Sequence, residues 1–196
     1  MVANVRSQLI LWTGQKRSGK TTQAGALVQT ARGEGFDVAG LLAPSIRLGG
    51  ESVGYDVIDL QQGTRAPLAR RKRDGGAVGR FTFLAAGLEL GRTALGREST
   101  KSADLIVVDE FGPWELDGGG WRKNVDELLA AAPAASFLPS KTAGAVLLIV
   151  RDRLVGLIQK VYSCVPAITL PAGGPDSARR VIELLRSRRQ TAHGVK

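Results

Sequence analysis

The feature that most constrains this chain is eight residues long. Gly14-Gln15-Lys16-Arg17-Ser18-Gly19-Lys20-Thr21 fits the spacing G-x-x-x-x-G-K-[ST], and that spacing has a physical use only between a buried strand and a helix. Both flanks are there. Residues 8–13 (QLILWT) are a nearly unbroken apolar run, as in a strand covered on both faces. Past the loop, Ala24, Leu27, Val28 and Ala31 recur at helical spacing, and Gly33 and Gly35 supply a stop. Two glycines let the backbone turn so that successive N–H groups face inward as an anion cradle. The positive end of the following helix reinforces it. In such a loop Lys20 reaches the terminal phosphates, and the Thr21 hydroxyl is a ligand for Mg²⁺. The expected phosphate-binding residues are Gly14, Gln15, Lys16, Arg17, Ser18, Gly19, Lys20, Thr21 and Thr22. Lys16 and Arg17 occupy positions the spacing leaves free, where solvent is the commoner environment.

The rest of the chain alternates strand and helix patterns. Residues 36–43 read as a strand closed by Pro44, and residues 53–60 (VGYDVIDL) alternate as a strand with one wet face does. Gly49-Gly50 between them suggests a hairpin. Residues 80–84 are a further short strand, followed by a stripe of Leu84, Leu88 and Leu95 that Gly87 and Gly91 loosen. Residues 105–108 (LIVV) are the clearest buried strand. Trp121, Val125, Leu128, Leu129 and Ala132 then mark a helix ended by Pro133. Residues 145–150 (AVLLIV) are another buried strand. Asp152 is positioned to cap a helix whose apolar face is Leu154, Leu157, Ile158 and Val161. A last strand spans 165–170, and a helix with Ala178, Val181, Ile182 and Leu185 on one face frays near Gln190. This order predicts an α/β fold: a mostly parallel sheet with helices on both faces and an antiparallel excursion near residues 36–84. One domain is expected over residues 1–189, with a polar, disordered tail over 190–196.

Charge narrows the partners. Lys and Arg number 27 against 18 Asp and Glu, a net +9, but the excess is local. Residues 65–73 hold five basic side chains and no acid, and residues 179–196 hold six with only Glu183 against them. The remainder sits near −1, so a surface built throughout to coat nucleic acid is excluded, and weak, non-specific contact is the most these patches predict. Cys164 is the sole cysteine, which excludes an internal disulfide and a Cys/His zinc site. No apolar run approaches the ~20 residues of a membrane span, and the N-terminal run is too short for a signal sequence. A cytoplasmic protein without membrane contact is the expectation. No feature specifies an oligomeric state.

A phosphate loop needs a carboxylate for the Mg²⁺ shell, supplied from the end of a nearby parallel strand. Asp109 ends the LIVV run and is the metal-ligand candidate with Thr21. Glu110 follows as the candidate to polarise an attacking water. Strict alternation would send these neighbours to opposite faces, so both serve one site only if the strand ends there, which Gly112-Pro113 favours. Asp109, Glu110 and Lys20 are thus the catalytic candidates. D-x-x-G also fits regulatory GTPases, but the N-K-x-D segment that reads guanine is missing. Arg65 could approach the γ-phosphate, or pair with Asp56 or Asp59. Arg151 ends a buried strand, where α/β sheets bind ligands, and is a candidate charge stabiliser. Trp12, Trp114 and Trp121 fit core packing or cover over the site better than base stacking. His193 reads as solvated.

These residues resemble a known family. The loop, then V-A-G-L-L, G-G, G-Y-D-V and G-T-R-A-P-L-A-R within residues 38–70, then L-I-V-V-D-E-F-G-P-W-E-L over 105–116, are similar in content and order to the small P-loop nucleoside-triphosphatases of thermophilic prokaryotes and vertebrates, called cancer-related nucleoside-triphosphatase in the latter. The likeness spans roughly the first 120 residues. It implies a RecA-like sheet and hydrolysis of ATP, GTP or other NTPs to NDP and phosphate with Mg²⁺ and little base selectivity. It also implies nucleotide contacts on the loop and on the strand end as far as Gly112. Some members carry Lys after that glycine, where this chain has Pro113. Two alternatives stand beside hydrolysis: a small-molecule kinase using basic residues 65–73 as a lid, and a nucleotide-switched module whose basic tail binds nucleic acid or protein.

Overall fold

Segments that are apolar throughout fill the middle of the sheet, because only there are both faces of a strand covered. A computed structural model describes residues 8–72, 81–130, 144–163 and 167–193. In chain order the elements are β1 (Leu9–Gly14), α1 (Lys20–Gly33), β2 (Val38–Leu42), β3 (Ser45–Leu48), β4 (Glu51–Asp59), β5 (Arg65–Arg71), β6 (Phe81–Phe83), α2 (Ala85–Ala94), α3 (Arg97–Thr100), β7 (Leu105–Asp109), α4 (Pro113–Leu116), α5 (Arg122–Ala130), β8 (Ala145–Arg151), α6 (Val155–Val161), β9 (Ala167–Pro171) and α7 (Ser177–His193). The sheet runs β6-β5-β4-β2-β7-β8-β1-β9, with β3 paired to β4. The five strands from β2 to β9 are parallel, and the others join antiparallel.

Alternation along the central strands divides the core into two layers. Ile10, Trp12, Leu105, Val107, Leu147 and Ile149 face α1 and α7, where they meet Leu27, Val28, Val181 and Leu185. Leu9, Leu11, Ile106, Val108, Leu148 and Val150 face the opposite side, against Leu95, Trp121, Val125 and Ile158. Each such side chain contributes about 1.5–3 kcal/mol by leaving water. Gly87 and Gly91 do not loosen α2, as their composition suggested; they let it approach. A Cβ at Gly87 would lie 2.4 Å from the Pro67 carbonyl oxygen, and one at Gly91 2.3 Å from the Trp121 ring.

Four expectations are corrected. The antiparallel excursion begins after Pro44, because β2 is buried along its whole length and pairs parallel with β7. Basic residues 65–71 are not a lid but strand β5, held between β4 and β6; Arg73 lies outside the described residues. Asp152 does not cap a helix: it opens a 3-10 turn over Asp152–Leu154, and α6 starts at Val155 with Leu157 and Val161 exposed. α7 continues through Gln190 to His193. Ala132, Pro133 and Cys164 lie outside the described residues. The hairpin at Gly49-Gly50 forms as expected, with both residues at positive φ between paired Leu48 and Glu51.

Candidate active site

β1 delivers the loop to the C-terminal edge of the parallel sheet, and α1 departs from it at Lys20. Gly19 precedes the helix at φ 83°, a left-handed backbone that a side chain would resist. No side chain caps α1, and its first turn holds no acidic residue, so its N–H groups remain oriented toward an external anion. Lys16, Arg17, Ser18 and Thr22 are exposed, while Lys20 is only 7% exposed. The Lys20 ammonium turns back onto its own loop, donating to the carbonyls of Gly14 (3.2 Å) and Gln15 (2.8 Å).

The acidic half comes from β7, one strand beyond β8. Asp109 is 2% exposed. Its Oδ2 accepts from the Ala43 N–H at 3.0 Å, and its carboxylate takes a hydrogen bond from the Thr21 hydroxyl. Burial pushes the Asp109 pKa up to about 6, helped by nearby Glu110; Ala43, Thr21 and Lys20 oppose the rise. The Thr21 hydroxyl and Asp109 carboxylate therefore form one pair of hard oxygen donors. Among the described residues no cluster of three or more His, Cys, Asp or Glu makes a self-sufficient metal cage.

The ladder ends at Asp109, which pairs with Ile149, and the Phe111 N–H then bonds the Ile149 carbonyl at 2.9 Å. Glu110 stands between these two tethers, released from strand alternation. Its Oε1 accepts from Arg151 Nε at 2.6 Å, with the two side chains 35% and 28% exposed. Two separately nominated residues, 41 positions apart, thus meet.

Other candidates fall elsewhere. Arg65 donates to Asp56 at 2.7 Å and shares that carboxylate with Arg70. The two guanidinium groups hold the Asp56 pKa below its ordinary value against the opposing effect of burial, the largest single influence. Strand β5 lies five positions from β1, roughly 24 Å at the spacing of neighbouring strands, so the structure does not bring Arg65 to the loop. The Gly112 N–H is given to Glu115 Oε2 at 2.9 Å. Trp12 and Trp121 are buried, but Trp114 is 40% exposed and packs against Phe83 with ring centroids 4.4 Å apart. Pro113 begins α4 at a position where its missing N–H costs nothing.

Glu115 escaped the sequence reading. It is 5% exposed, and burial raises its pKa while hydrogen bonds from the N–H groups of Gly112, Glu115 and Trp121 restrain the rise. It ties the turn after Glu110 to the start of α5. The signal was present as Gly112-x-x-Glu115, a carboxylate reaching back three residues to the N–H that precedes a helix.

A loop on β1, an acidic strand end on β7 and β8 between them define a P-loop nucleotide-hydrolase fold of RecA-like order. Residues 9–143 match the family described as NTPase. The chain is 35% identical over 122 residues to nucleoside-triphosphatase THEP1 of Methanothermobacter thermautotrophicus, which covers 62% of this chain and 70% of that one. Two solved structures share the fold: a human cancer-related nucleoside triphosphatase (TM-score 0.61, 20% identity, 95% of this chain and 98% of that one), and THEP1 from the hyperthermophile Aquifex aeolicus (TM-score 0.61, 19% identity, 92% and 97%). The chain belongs to the NTPase family, enzymes of nucleoside-triphosphate hydrolysis.

Proposed function

We propose that this chain hydrolyses nucleoside triphosphates to diphosphate and phosphate, dependent on Mg²⁺ and with little preference for the base. The observation that carries the reading is the Thr21–Asp109 contact at the foot of the loop, with Glu110 beside it. Mg²⁺ fits this donor set, since it takes one or two protein oxygens and completes its shell with water and substrate phosphates. When bound, the ion neutralises charge on the β- and γ-phosphates.

The chain's own residues do the rest. Lys20 exchanges its loop carbonyls for phosphate oxygens, and the N–H groups at the start of α1 hold the chain of phosphates. Glu110 orients a water and takes its proton as the water oxygen bonds to the γ-phosphorus. The bond from that phosphorus to the β–γ bridging oxygen breaks, leaving NDP. Broad base use rests on the missing N-K-x-D segment. A kinase lid is disfavoured because residues 65–71 are a paired strand. A nucleic-acid module is disfavoured because the basic segments are engaged internally: Arg71 by Glu51, Arg186 by Glu34, Arg189 by Asp104. Among the described residues no helix is long and apolar enough to cross a membrane; a cytoplasmic setting is proposed on the single cysteine.

The test is phosphate release from ATP, GTP, CTP and UTP, with Mg²⁺ and with chelator. Turnover is expected with all four in Mg²⁺ alone, and Glu110→Gln should lower it about 10²-fold or more while preserving nucleotide affinity. Release in chelator, or unchanged turnover in Glu110→Gln, would overturn these assignments.

A further inference from the structure

We propose that Tyr162 is a positioning residue for Glu110: its ring seats Phe111, the next residue in the chain, and its hydroxyl, anchored on Asp126, fixes the direction in which that ring presses. The inference rests on the hydrolase reading and deepens it.

The need for such a support follows from the backbone. Glu110 lies past the last ladder pair, Asp109–Ile149, and before the turn that opens α4. Phe111 is the next fixed point, through its N–H to the Ile149 carbonyl and through its fully buried ring. Where that ring settles therefore sets the position and tilt of the Glu110 backbone. A general base loses rate quickly when misplaced, about 10²-fold for an ångström.

The Phe111 ring meets Tyr162 edge to face, with centroids 6.1 Å apart and planes at 63°. Tyr162 belongs to neither the sheet nor the acidic turn: it ends α6, with its N–H on the Ile158 carbonyl. It is 7% exposed, and its hydroxyl donates to Asp126 Oδ1 at 2.7 Å. Asp126 on α5 is itself held by Arg122, whose Nε lies 2.8 and 2.9 Å from its two oxygens. The Arg122 guanidinium also stands over the Tyr162 ring, 5.6 Å from its centroid. Arg122, Asp126, Tyr162 and Phe111 thus make a continuous chain of contacts from α5, across the end of α6, to the residue beside Glu110.

Packing alone would not demand this arrangement. A phenylalanine would fill the same space in the layer shared with Val125 and Ile158, and apolar burial has no direction. A buried phenol needs a partner, and a hydrogen bond fixes the tilt of a ring where packing tolerates a range. The bond to the Asp126 carboxylate is of the stronger, charge-assisted kind. What the hydroxyl adds is orientation of the surface on which Phe111 rests.

A merely structural tyrosine would show the same contacts, so the test asks whether its effect passes through Glu110. Steady-state hydrolysis of ATP with Mg²⁺ is measured for wild type, Tyr162→Phe, Glu110→Gln and the double variant, each checked for folding by circular dichroism. Tyr162→Phe should lower kcat about 10-fold and leave KM within about twofold, because a base is displaced and no substrate contact is lost. In the Glu110→Gln background the same change should lower kcat by no more than about twofold, since misplacing a side chain that no longer takes a proton costs nothing further. Asp126→Ala, at a position 45% exposed, should match Tyr162→Phe, and Asp126→Asn, which keeps the acceptor, should recover most of the loss. These two decide the matter if Tyr162→Phe does not fold. Turnover of Tyr162→Phe within about twofold of wild type, an equal loss in both Glu110 backgrounds, or a rise in KM matching the fall in kcat would overturn the proposal. So would Asp126→Asn as slow as Asp126→Ala. Failure of the hydrolase reading is separable: wild type would release no phosphate, or Glu110→Gln would turn over as fast as wild type, and either result would overturn the reading and the proposal together.

Discussion

Asp109→Asn should make the metal-free protein more stable while abolishing its chemistry. The Asp109 carboxyl is 2% exposed, and its pKa is pushed up to about 6 from an ordinary 3.8, mainly by burial. At pH 7.5 it is ionised in the folded and unfolded states alike, and the folded state bears the cost of holding that charge away from water. At about 1.36 kcal/mol for each tenfold in proton affinity, the cost is on the order of 3 kcal/mol. The direction follows from linkage: the folded state binds the proton more tightly, so the group's contribution is fully present below pH 3.8 and is lost as pH rises through about 6. An asparagine keeps the acceptor for the Ala43 N–H and presents an amide to the Thr21 hydroxyl, without the charge. For a chain of this size each kcal/mol moves the midpoint by roughly 2–4 °C, so at pH 7.5 in chelator the variant should melt roughly 6–12 °C above wild type. At pH 5 the advantage should shrink to about half. Thermal unfolding followed by circular dichroism at both pH values is the assay. A variant no more stable than wild type at pH 7.5, or an advantage that does not shrink on acidification, would refute the assignment of Asp109 as a buried charge kept at the expense of stability.

The same contacts give further expectations. Lys20→Ala should weaken ADP and ATP binding together and also slow hydrolysis, because its phosphate contacts exist in ground and transition states alike; isothermal titration and phosphate release check both. Glu115→Ala leaves the Gly112 N–H without its carboxylate, at about 1–3 kcal/mol for each buried donor stranded. It should lower kcat more than it changes KM by loosening the turn that carries Glu110, and Glu115→Gln should recover most of the loss. Binding to duplex DNA, measured by anisotropy against salt, should be undetectable near physiological ionic strength, each phosphate neutralised contributing about −0.9 to the log–log slope. Tight binding that survived there would restore the nucleic-acid reading.

What the sequence disclosed of this fold depended on whether a signal was local. The loop, its flanking strand and helix, and the LIVV strand are each written within about a dozen residues, and β1, α1 and β7 lie where those patterns put them. Strand β5 was missed because R-A-P-L-A-R-R offers neither a long apolar run nor clean alternation. Its proline sits where the β4–β5 register shifts, one of the few places a sheet accepts it. Strand β3 was missed because three of its four residues face solvent. The arginines around β5 looked like a free basic patch only because the carboxylates that meet them, Asp56 and Glu51, lie 9 to 20 residues earlier. In the site, residue types were legible but pairings were not. Glu110 and Arg151 were each nominated alone, and no spacing announces a contact across 41 positions.

The charged groups of the site are paired with one another or with the backbone. Lys20 is satisfied by two carbonyls of its own loop, Asp109 by Thr21 and the Ala43 N–H, and Glu110 by Arg151. Lys20 and Asp109 are buried, so neither could be left bare without a penalty comparable to a lost charged hydrogen bond. The substitutes are not equal, however. Neutral carbonyls are poor partners for an ammonium, a single hydroxyl and one amide leave Asp109 with a raised pKa, and the Glu110–Arg151 pair is partly open to water. A triphosphate with its cation replaces the partners of Lys20 and Asp109 by stronger ones. Part of the favourable free energy of binding is therefore set by how weak these partners are, and the deficit at Asp109 is what Asp109→Asn should return to the fold as stability.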